Sequence, residues 1–348
     1  MNFVGYFGNP RMLNYLCGRR VHSLFMSIDN IINPIRSEME RFEPLFRRSL
    51  DSPNKLLSLI INYLLRRKGK QMRPMLVFLS ARAAGEVTDA TYVAATLIEM
   101  LHTATLIHDD VVDETYQRRG MLNVYALWNS KIAILVGDFL LARGMRVALD
   151  GDHFDLLKIV SSAVSEISEG ELVQIKHAHL LDIDEATYYE VIRQKTATLI
   201  AACTRAGATS AGADNTKIEA LYQYGINLGI AFQIRDDIFD YEPGGLLGKP
   251  SGNDIKERKL TLPLIHALSM APAAEAKALM RRIATKAKDD STAVMASDFA
   301  HRYGGIDYAR NKMIEYSNKA KRCLDLLPQS DARTALAVMV DYNIQRKK

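Results

Sequence analysis

Cysteine is scarce in this chain, and proline is absent from its middle. Cys17, Cys203 and Cys323 are few, odd in number and widely separated, which argues against a disulfide framework or a zinc site and fits a reducing cytoplasm. No apolar run approaches the ~18 residues of a bilayer-spanning helix. The nearest, LLSLIINYLL, is bounded by charge, so a soluble, cytoplasmic protein is expected. Neither sign of charge dominates, since 45 Lys and Arg against 40 Asp and Glu leave a net charge of +5. The basic cluster Arg66-Arg67-Lys68-Gly69-Lys70 has no interleaved aromatics, so nucleic-acid binding has little support and a local anion site is the more economical reading.

All ten prolines lie at or before Pro74 or at or after Pro243, and the stretch between is rich in Ala, Leu, Ile and Met. Long helices are expected there. From Val93 the apolar positions recur at Leu97, Leu101, Ala104 and Ile107, the helical period, while sustained strict alternation is missing. The expected fold class is all-α. Helix breaks are expected at Gly85-Glu-Val-Thr-Asp, Arg119-Gly120, Asp150-Gly151-Asp152, Gly212-Ala-Asp-Asn and the loop from Glu242 to Gly252. A length of 348 residues by itself suggests two domains, although single domains of this size occur.

The first 25 residues are basic and aromatic, hold no acid, and lack the apolar core and cleavage site of a secretory signal. A later methionine, Met26, opens a capped amphipathic pattern. Residues 1–25 are read as a flexible extension or an upstream start, ahead of a membrane-surface segment and then a targeting peptide.

Two aspartate clusters share one spacing: Asp109-Asp110-Val-Val-Asp113 and Asp236-Asp237-Ile-Phe-Asp240, each within a strongly apolar helical pattern. On a helix the first and last aspartates of each cluster are i,i+4 neighbours, so their carboxylates project from one face. A single such cluster is usually solvated surface. Six carboxylates set among apolar residues repel one another unless cations compensate them. Oxygen-only ligands with no Cys/His pairs favour a hard cation, and Mg²⁺ held by a few carboxylates completes its octahedron with water and phosphate oxygens. A phosphate or diphosphate substrate is implied.

The chain resembles the trans-polyprenyl diphosphate synthases, the head-to-tail isoprenyl chain elongases, and in particular their long-chain, octaprenyl-type branch. The resemblance runs from about Met26 to the C-terminus and rests on motifs in the family order. They are Gly69-Lys70-Gln71-Met72-Arg73-Pro74, His102 with DDVVD, Arg118-Arg119-Gly120, Gly137-Asp138-Phe139, Lys195-Thr196-Ala197, Gln233 with DDIFD, and Gly248-Lys249-Pro250 with Lys259-Leu-Thr-Leu-Pro263. It implies a bundle of antiparallel helices around one deep cavity, a homodimer, and one catalytic domain over 26–348.

Roles follow from the same resemblance. Three Mg²⁺ ions are expected to bridge an allylic diphosphate to Asp109, Asp113 and Asp236, with Asp110, Asp237 and Asp240 as outer or supporting carboxylates. Arg118, Lys195, Thr196, Gln233, Lys249 and Lys259 match positions that contact that diphosphate. Lys70, Arg73, His102 and Arg119 match the isopentenyl diphosphate site. Released diphosphate is the expected final base. Lys68 and Gln71 depart from the family pattern, which commonly has a glycine and a basic residue there, so in this loop Lys70 and Arg73 are the residues that match it. His108 is read as an ordinary core histidine, and the terminal Gln345-Arg-Lys-Lys as a frayed tail that could brush a diphosphate.

In this family bulky residues four or five positions before the first cluster stop elongation early. Here they are Thr105 and Ala104, both small, with the medium-sized Leu101 and Ile98 further up the helix. An open tunnel and a product of about C30 to C50 are expected, because aliphatic side chains bend aside where an aromatic ring does not. Such a product suits a quinone side chain, with transient membrane-surface contact on release. The competing readings are a shorter-chain farnesyl or geranylgeranyl diphosphate synthase, a terpene cyclase, and a non-catalytic partner subunit. Cyclases usually carry Asn and Ser in the second metal motif, and partner subunits have typically lost aspartates, whereas both clusters here are complete.

Overall fold

The computed structural model describes residues 28–66, 69–118, 120–242 and 252–346. The extension 1–25, Lys68, Arg119, the Gly248-Lys249-Pro250 motif and the side chain of Arg118 lie outside the described residues.

The chain forms, in order, helices α1 (Ile28–Ile32), α2 (Arg36–Ser49), α3 (Lys55–Arg66), α4 (Met72–Ala84) and α5 (Asp89–Val112). A two-residue hairpin, β1 (Gln117–Arg118) with β2 (Met121–Leu122), follows. Next come α6 (Val124–Trp128), α7 (Ser130–Asp150), α8 (Phe154–Leu180), α9 (Glu185–Ile192), a π turn (Arg193–Ala197), α10 (Thr198–Ser210) and α11 (Asn215–Tyr241). The last are α12 (Asn253–Lys256), α13 (Leu262–Met270), α14 (Ala273–Lys286), α15 (Asp290–Arg302), α16 (Gly305–Cys323) and α17 (Asp331–Gln345). The all-α expectation holds. Among the described residues the hairpin is the one strand pair, too short for the periodicity of the sequence to announce.

Local chemistry starts the long helices where the site needs them. Thr88 and Thr91 form a reciprocal capping box at the head of α5. The Asp214 carboxylate accepts the Lys217 amide 3.0 Å away at the head of α11. Pro263 sits in the first turn of α13, where its missing N–H costs nothing.

Two apolar clusters form the interior. One gathers α4, α5, α7, α10, the first part of α11 and α17 around Phe42, Phe78, Leu97, Met100 and Tyr224. The other gathers α9, the second part of α11 and α13 to α16 around Ile234, Ile238, Leu264 and Ile283. At 27 residues, α11 is about 40 Å long and belongs to both. Leu228 lies in the first cluster and Ile230 in the second, so the second aspartate cluster is carried beyond the seam between them.

One sequence expectation needs correction. Helix α5 is long and apolar enough to cross a membrane, but most of that stretch is buried inside the bundle. Its thirteenth to twentieth residues intersperse His and Thr among aliphatics, which hides the hydropathy from a search for an unbroken apolar run.

Candidate active site

The first aspartate cluster occupies the end of α5. Asp110 is buried, Asp109 half-buried and Asp113 exposed as the C-cap, its amide donating to Asp109 O at 2.8 Å. The chain is then drawn straight into the hairpin. Thr115 N donates to Asp110 O at 2.9 Å, Asn123 N to Tyr116 O at 3.0 Å, and the Asn123 side-chain amide to Thr115 O. Tyr63 on α3 donates to Leu122 O and stacks edge-on against Trp128. These contacts hold the strand of Arg118 next to the aspartates that the motif order placed it after.

The second cluster, on α11, has three differently engaged carboxylates. Asp237 is buried and accepts hydrogen bonds from the Tyr188 hydroxyl at 2.5 Å and the Gln233 amide at 2.8 Å. The Gln233 carbonyl in turn accepts from Thr196 Oγ1 at 2.7 Å, so Thr196, Gln233, Asp237 and Tyr188 form one chain. Burial pushes the Asp237 carboxyl up to about 7; the hydrogen bonds oppose this, and the neighbouring Asp236 and Asp240 add to it. Asp240 accepts three backbone amides, from Gly252, Asn253 and Asp254, at 3.0–3.1 Å. It receives the N-terminus of α12 and so fixes the segment that leads to Lys259. Asp236 accepts the guanidinium of Arg346, which lies 4.0 Å over the Phe232 ring.

That last contact corrects the frayed-tail reading for Arg346. Two aromatic faces, of Phe232 and Phe239, and the Asp236 carboxylate give the guanidinium more than water offers it. Lys347 and Lys348 lie outside the described residues.

Lys195 and Thr196 stand in the π turn between α9 and α10. A π turn inserts one extra residue and is frequent at functional sites. Here two glycines admit it: a Cβ on Gly170 would lie 2.7 Å from Gln194 Cβ, and one on Gly229 would lie 2.4 Å from Ala197 Cα. Lys195 Nζ lies 2.5 Å from Glu171 and donates to the Gln174 amide oxygen at 2.7 Å.

Lys259 follows α12. It ion-pairs with Glu257 at 2.5 Å. Burial alone would lower its basicity, yet the bond and charge of Glu257, together with Asp113 and Glu171, hold it above the ordinary lysine value.

The residues expected at a second anion site lie on α4, on α5 and in the loop before α4. Lys70 Nζ donates to the Tyr342 hydroxyl at 2.6 Å, from the last turn of α17. Gln71, in the left-handed region at φ 49°, donates its amide to Glu43 at 3.3 Å. Arg73 and His102 are half-buried. Ala104 is fully enclosed in the first apolar cluster, and the Thr105 hydroxyl is turned back to His102 O at 2.9 Å.

Sequence reasoning missed Glu171, Gln174, Tyr188, Asp254 and Tyr342, and took Arg346 for part of a frayed tail. Asp254 is a further half-buried carboxylate, pushed well above the usual range by burial and by Asp237 and Asp240. Gly170-Glu171-x-x-Gln174 was findable as an i,i+3 polar pair on an apolar helix. The others have no local signal.

The donor set fits a hard dication shared with a substrate. It is all oxygen, it contains carboxyls that burial and mutual repulsion keep short of positive charge, and a guanidinium pairs with Asp236 of the second cluster. Among the described residues no three acidic, imidazole or thiolate side chains already converge on a single ion position.

A profile of the polyprenyl synthetase family matches residues 54–298, more than half of the sequence. The chain belongs to the polyprenyl synthetase family. It is a prenyltransferase. It is 36% identical over 327 residues to an all-trans-nonaprenyl-diphosphate synthase (geranyl-diphosphate specific) of Rhodobacter capsulatus, covering 92% of this chain and 99% of that one. It is 35% identical over 325 residues to a short chain isoprenyl diphosphate synthase of Methanothermobacter thermautotrophicus, covering 91% and 99%. The crystal structure of a polyprenyl synthase from Caulobacter crescentus, complexed with calcium and isoprenyl diphosphate, superposes with a TM-score of 0.86 at 35% identity, covering 93% of this chain and 99% of that one. The expected bundle fold is thereby borne out.

Proposed function

We propose that this prenyltransferase condenses isopentenyl diphosphate head to tail with an allylic prenyl diphosphate, and repeats the step to an all-trans product of about C30 to C50, the range that the small residues before the first cluster favour. The observation that supports the reading most is the hydrogen-bonded chain of Thr196, Gln233, Asp237 and Tyr188, which ties the segment of Lys195 to the second aspartate cluster.

In the reaction the C1–oxygen bond of the allylic substrate breaks and diphosphate leaves with the electron pair. The double bond of isopentenyl diphosphate then attacks C1, and a proton is lost to re-form an alkene, with the departed diphosphate as its acceptor. Mg²⁺, when bound by Asp109, Asp113 and Asp236 with Asp110, Asp237 and Asp240 in support, supplies neutralisation of the leaving group. Lys195, Lys259 and Arg118, with Lys249, add positive charge around the same diphosphate, and Thr196 and Gln233 orient it. To reach it, Lys195 exchanges Glu171 and Gln174 for phosphate oxygens. Lys70, Arg73, His102 and Arg119 hold the second diphosphate and aim its double bond, which converts a bimolecular encounter into a positioned one.

The protein is read as a homodimer. Ile134, Leu135, Met145 and Leu149 on α7, with Leu172 and Ile175 on α8, are large apolar side chains left exposed on adjacent helices, a patch that supports self-association.

Incubation with farnesyl diphosphate, radiolabelled isopentenyl diphosphate and Mg²⁺, followed by chromatography, tests the proposal. Labelled products of about C30 or longer are expected from the small tunnel residues. Label confined to a single addition or two supports the shorter-chain reading, to which the short-chain relative adds weight. No incorporation of label overturns the elongase reading.

A further inference from the structure

His108 and the motif Gly137-Asp138-Phe139 have no part in the chemistry above, yet the fold puts them together. The His108 ring lies where the side chain of residue 137 would be: a Cβ on Gly137 would stand 2.1 Å from His108 Nε2 and 2.5 Å from its Cδ2. No ring could lie there against any residue but glycine. The seated ring makes two polar contacts with α7. With its proton on Nε2, His108 donates to Ile134 O at 3.2 Å, and the same nitrogen is 3.5 Å from Asp138 Oδ1. Phe139, the next residue, packs against the first apolar cluster and anchors that part of α7 in the interior.

We propose that this ring-in-notch joint between α5 and α7 positions the first aspartate cluster, with His108 as a positioning residue for the prenyl transfer. The proposal rests on the reading of that cluster as a metal site. Its physical basis is placement along the helix. His108 directly precedes Asp109 and lies four residues before Val112, the last residue of α5. Helix ends fray, because their last carbonyls lack partners inside the helix. The carboxylates of Asp109, Asp110 and Asp113 therefore belong to the part of α5 least able to hold its own rotation and tilt. A carboxylate that must meet a metal within a few tenths of an ångström needs outside support of this kind. The joint supplies it in three ways at once: the notch fixes how closely α5 approaches α7, the hydrogen bond fixes its rotation, and Asp138 favours the tautomer that donates.

The test is a double-mutant cycle read by Mn²⁺ binding, followed by electron paramagnetic resonance of the free ion in full-length, metal-free protein. His108→Ala removes the ring without crowding. Gly137→Ala leaves the ring but closes the notch, and because the obstructing atoms are the far end of a side chain, the ring swings out and the fold survives. Each single variant is expected to bind Mn²⁺ about tenfold more weakly, the lower end of what losing an outer-shell partner costs. His108→Ala with Gly137→Ala together should bind no more weakly than His108→Ala alone, since the second change acts only through the ring. His108→Gln, whose amide nitrogen reaches the Ile134 carbonyl, should recover most of the affinity, which a general loss of packing would not allow. If both single variants bind Mn²⁺ within twofold of the parent while Asp109→Ala loses it, the joint has no positioning role. If the two losses simply add, His108 and Gly137 act separately and the proposal is equally wrong. If Asp109→Ala binds as the parent does, the metal site itself is misplaced and the role of His108 falls with it, a failure this control separates from the other two.

Discussion

The guanidinium of Arg346, one residue beyond the end of α17, rests on the carboxylate of Asp236, 110 positions earlier and first in the second aspartate cluster. It is fastened from several sides. Arg346 also donates to Phe232 O at 3.3 Å, and its own carbonyl accepts from Arg235 at 3.2 Å. A dication that takes Asp236 displaces this internal one. Arg346→Ala is expected to raise the affinity of the metal-free protein for Mn²⁺ about two- to fivefold, the worth of a partly exposed ion pair. Calorimetric titration of the parent and variant measures it, and equal affinities would show that the arginine and the metal do not compete.

Removing a carboxylate that holds the leaving group should be severe. Asp109→Ala and Asp236→Ala are each expected to lower turnover by at least ~10²-fold. The unfolding temperature of Asp109→Ala should stay near that of the parent, because the change relieves repulsion among carboxylates, whereas Asp236→Ala also gives up the ion pair with Arg346, a partly exposed contact worth about 0–1 kcal/mol. Near-normal turnover in either variant contradicts the assignment.

Asp237 gives a pH-dependent stability. Its carboxyl is pushed from an ordinary value of 3.8 up to about 7 in the folded protein. A raised acid binds more protons folded than unfolded between those values, so its contribution is intact below about 4 and is lost as pH rises through about 7. Asp237→Asn carries no such loss. In metal-free protein the variant's unfolding temperature should gain on the parent's as pH goes from 5 to 8, and a gap that is constant with pH would rule out Asp237 as the source.

Ala104 is enclosed among apolar neighbours. Ala104→Phe places a ring in the path assigned to the growing chain, so product length should fall towards about C15 to C20 because an aromatic ring does not bend aside. The same overpacking should cost about 1–3 kcal/mol of stability. Thin-layer chromatography of products and a thermal melt read the two effects. An unchanged product distribution with the expected destabilisation would show that the chain runs elsewhere.

The π turn depends on a bare helix surface. Gly229→Ala sets a methyl 2.4 Å from Ala197 Cα, a backbone atom that cannot swing aside. Loss of about 1–3 kcal/mol in unfolding free energy is expected. Because Lys195 and Thr196 lie in the displaced segment, the Michaelis constant for the allylic substrate should rise more than that for isopentenyl diphosphate. Equal changes in both constants would place Lys195 outside the allylic site.

The sequence by itself determined the parts of this protein whose causes are local. Proline-free, Ala- and Leu-rich stretches make long helices because nothing interrupts their hydrogen-bond ladder. The spacing of Asp109 with Asp113, and of Asp236 with Asp240, places carboxylates on one helix face whatever the surroundings. Family motifs added the basic residues, though Arg119 and Lys249 lie outside the described residues. Only tertiary structure decided how alike or unlike the aspartates are. Asp236, Asp237 and Asp240 read identically in the chain, yet one meets Arg346, one is buried under Tyr188, and one caps the helix of Asp254. Those partners lie 14 to 110 residues away along the chain, and packing across the seam that α11 bridges selects them. Sequence spacing fixes the direction in which a side chain leaves its own helix. What it meets there is set by which other helices the shared apolar core draws alongside.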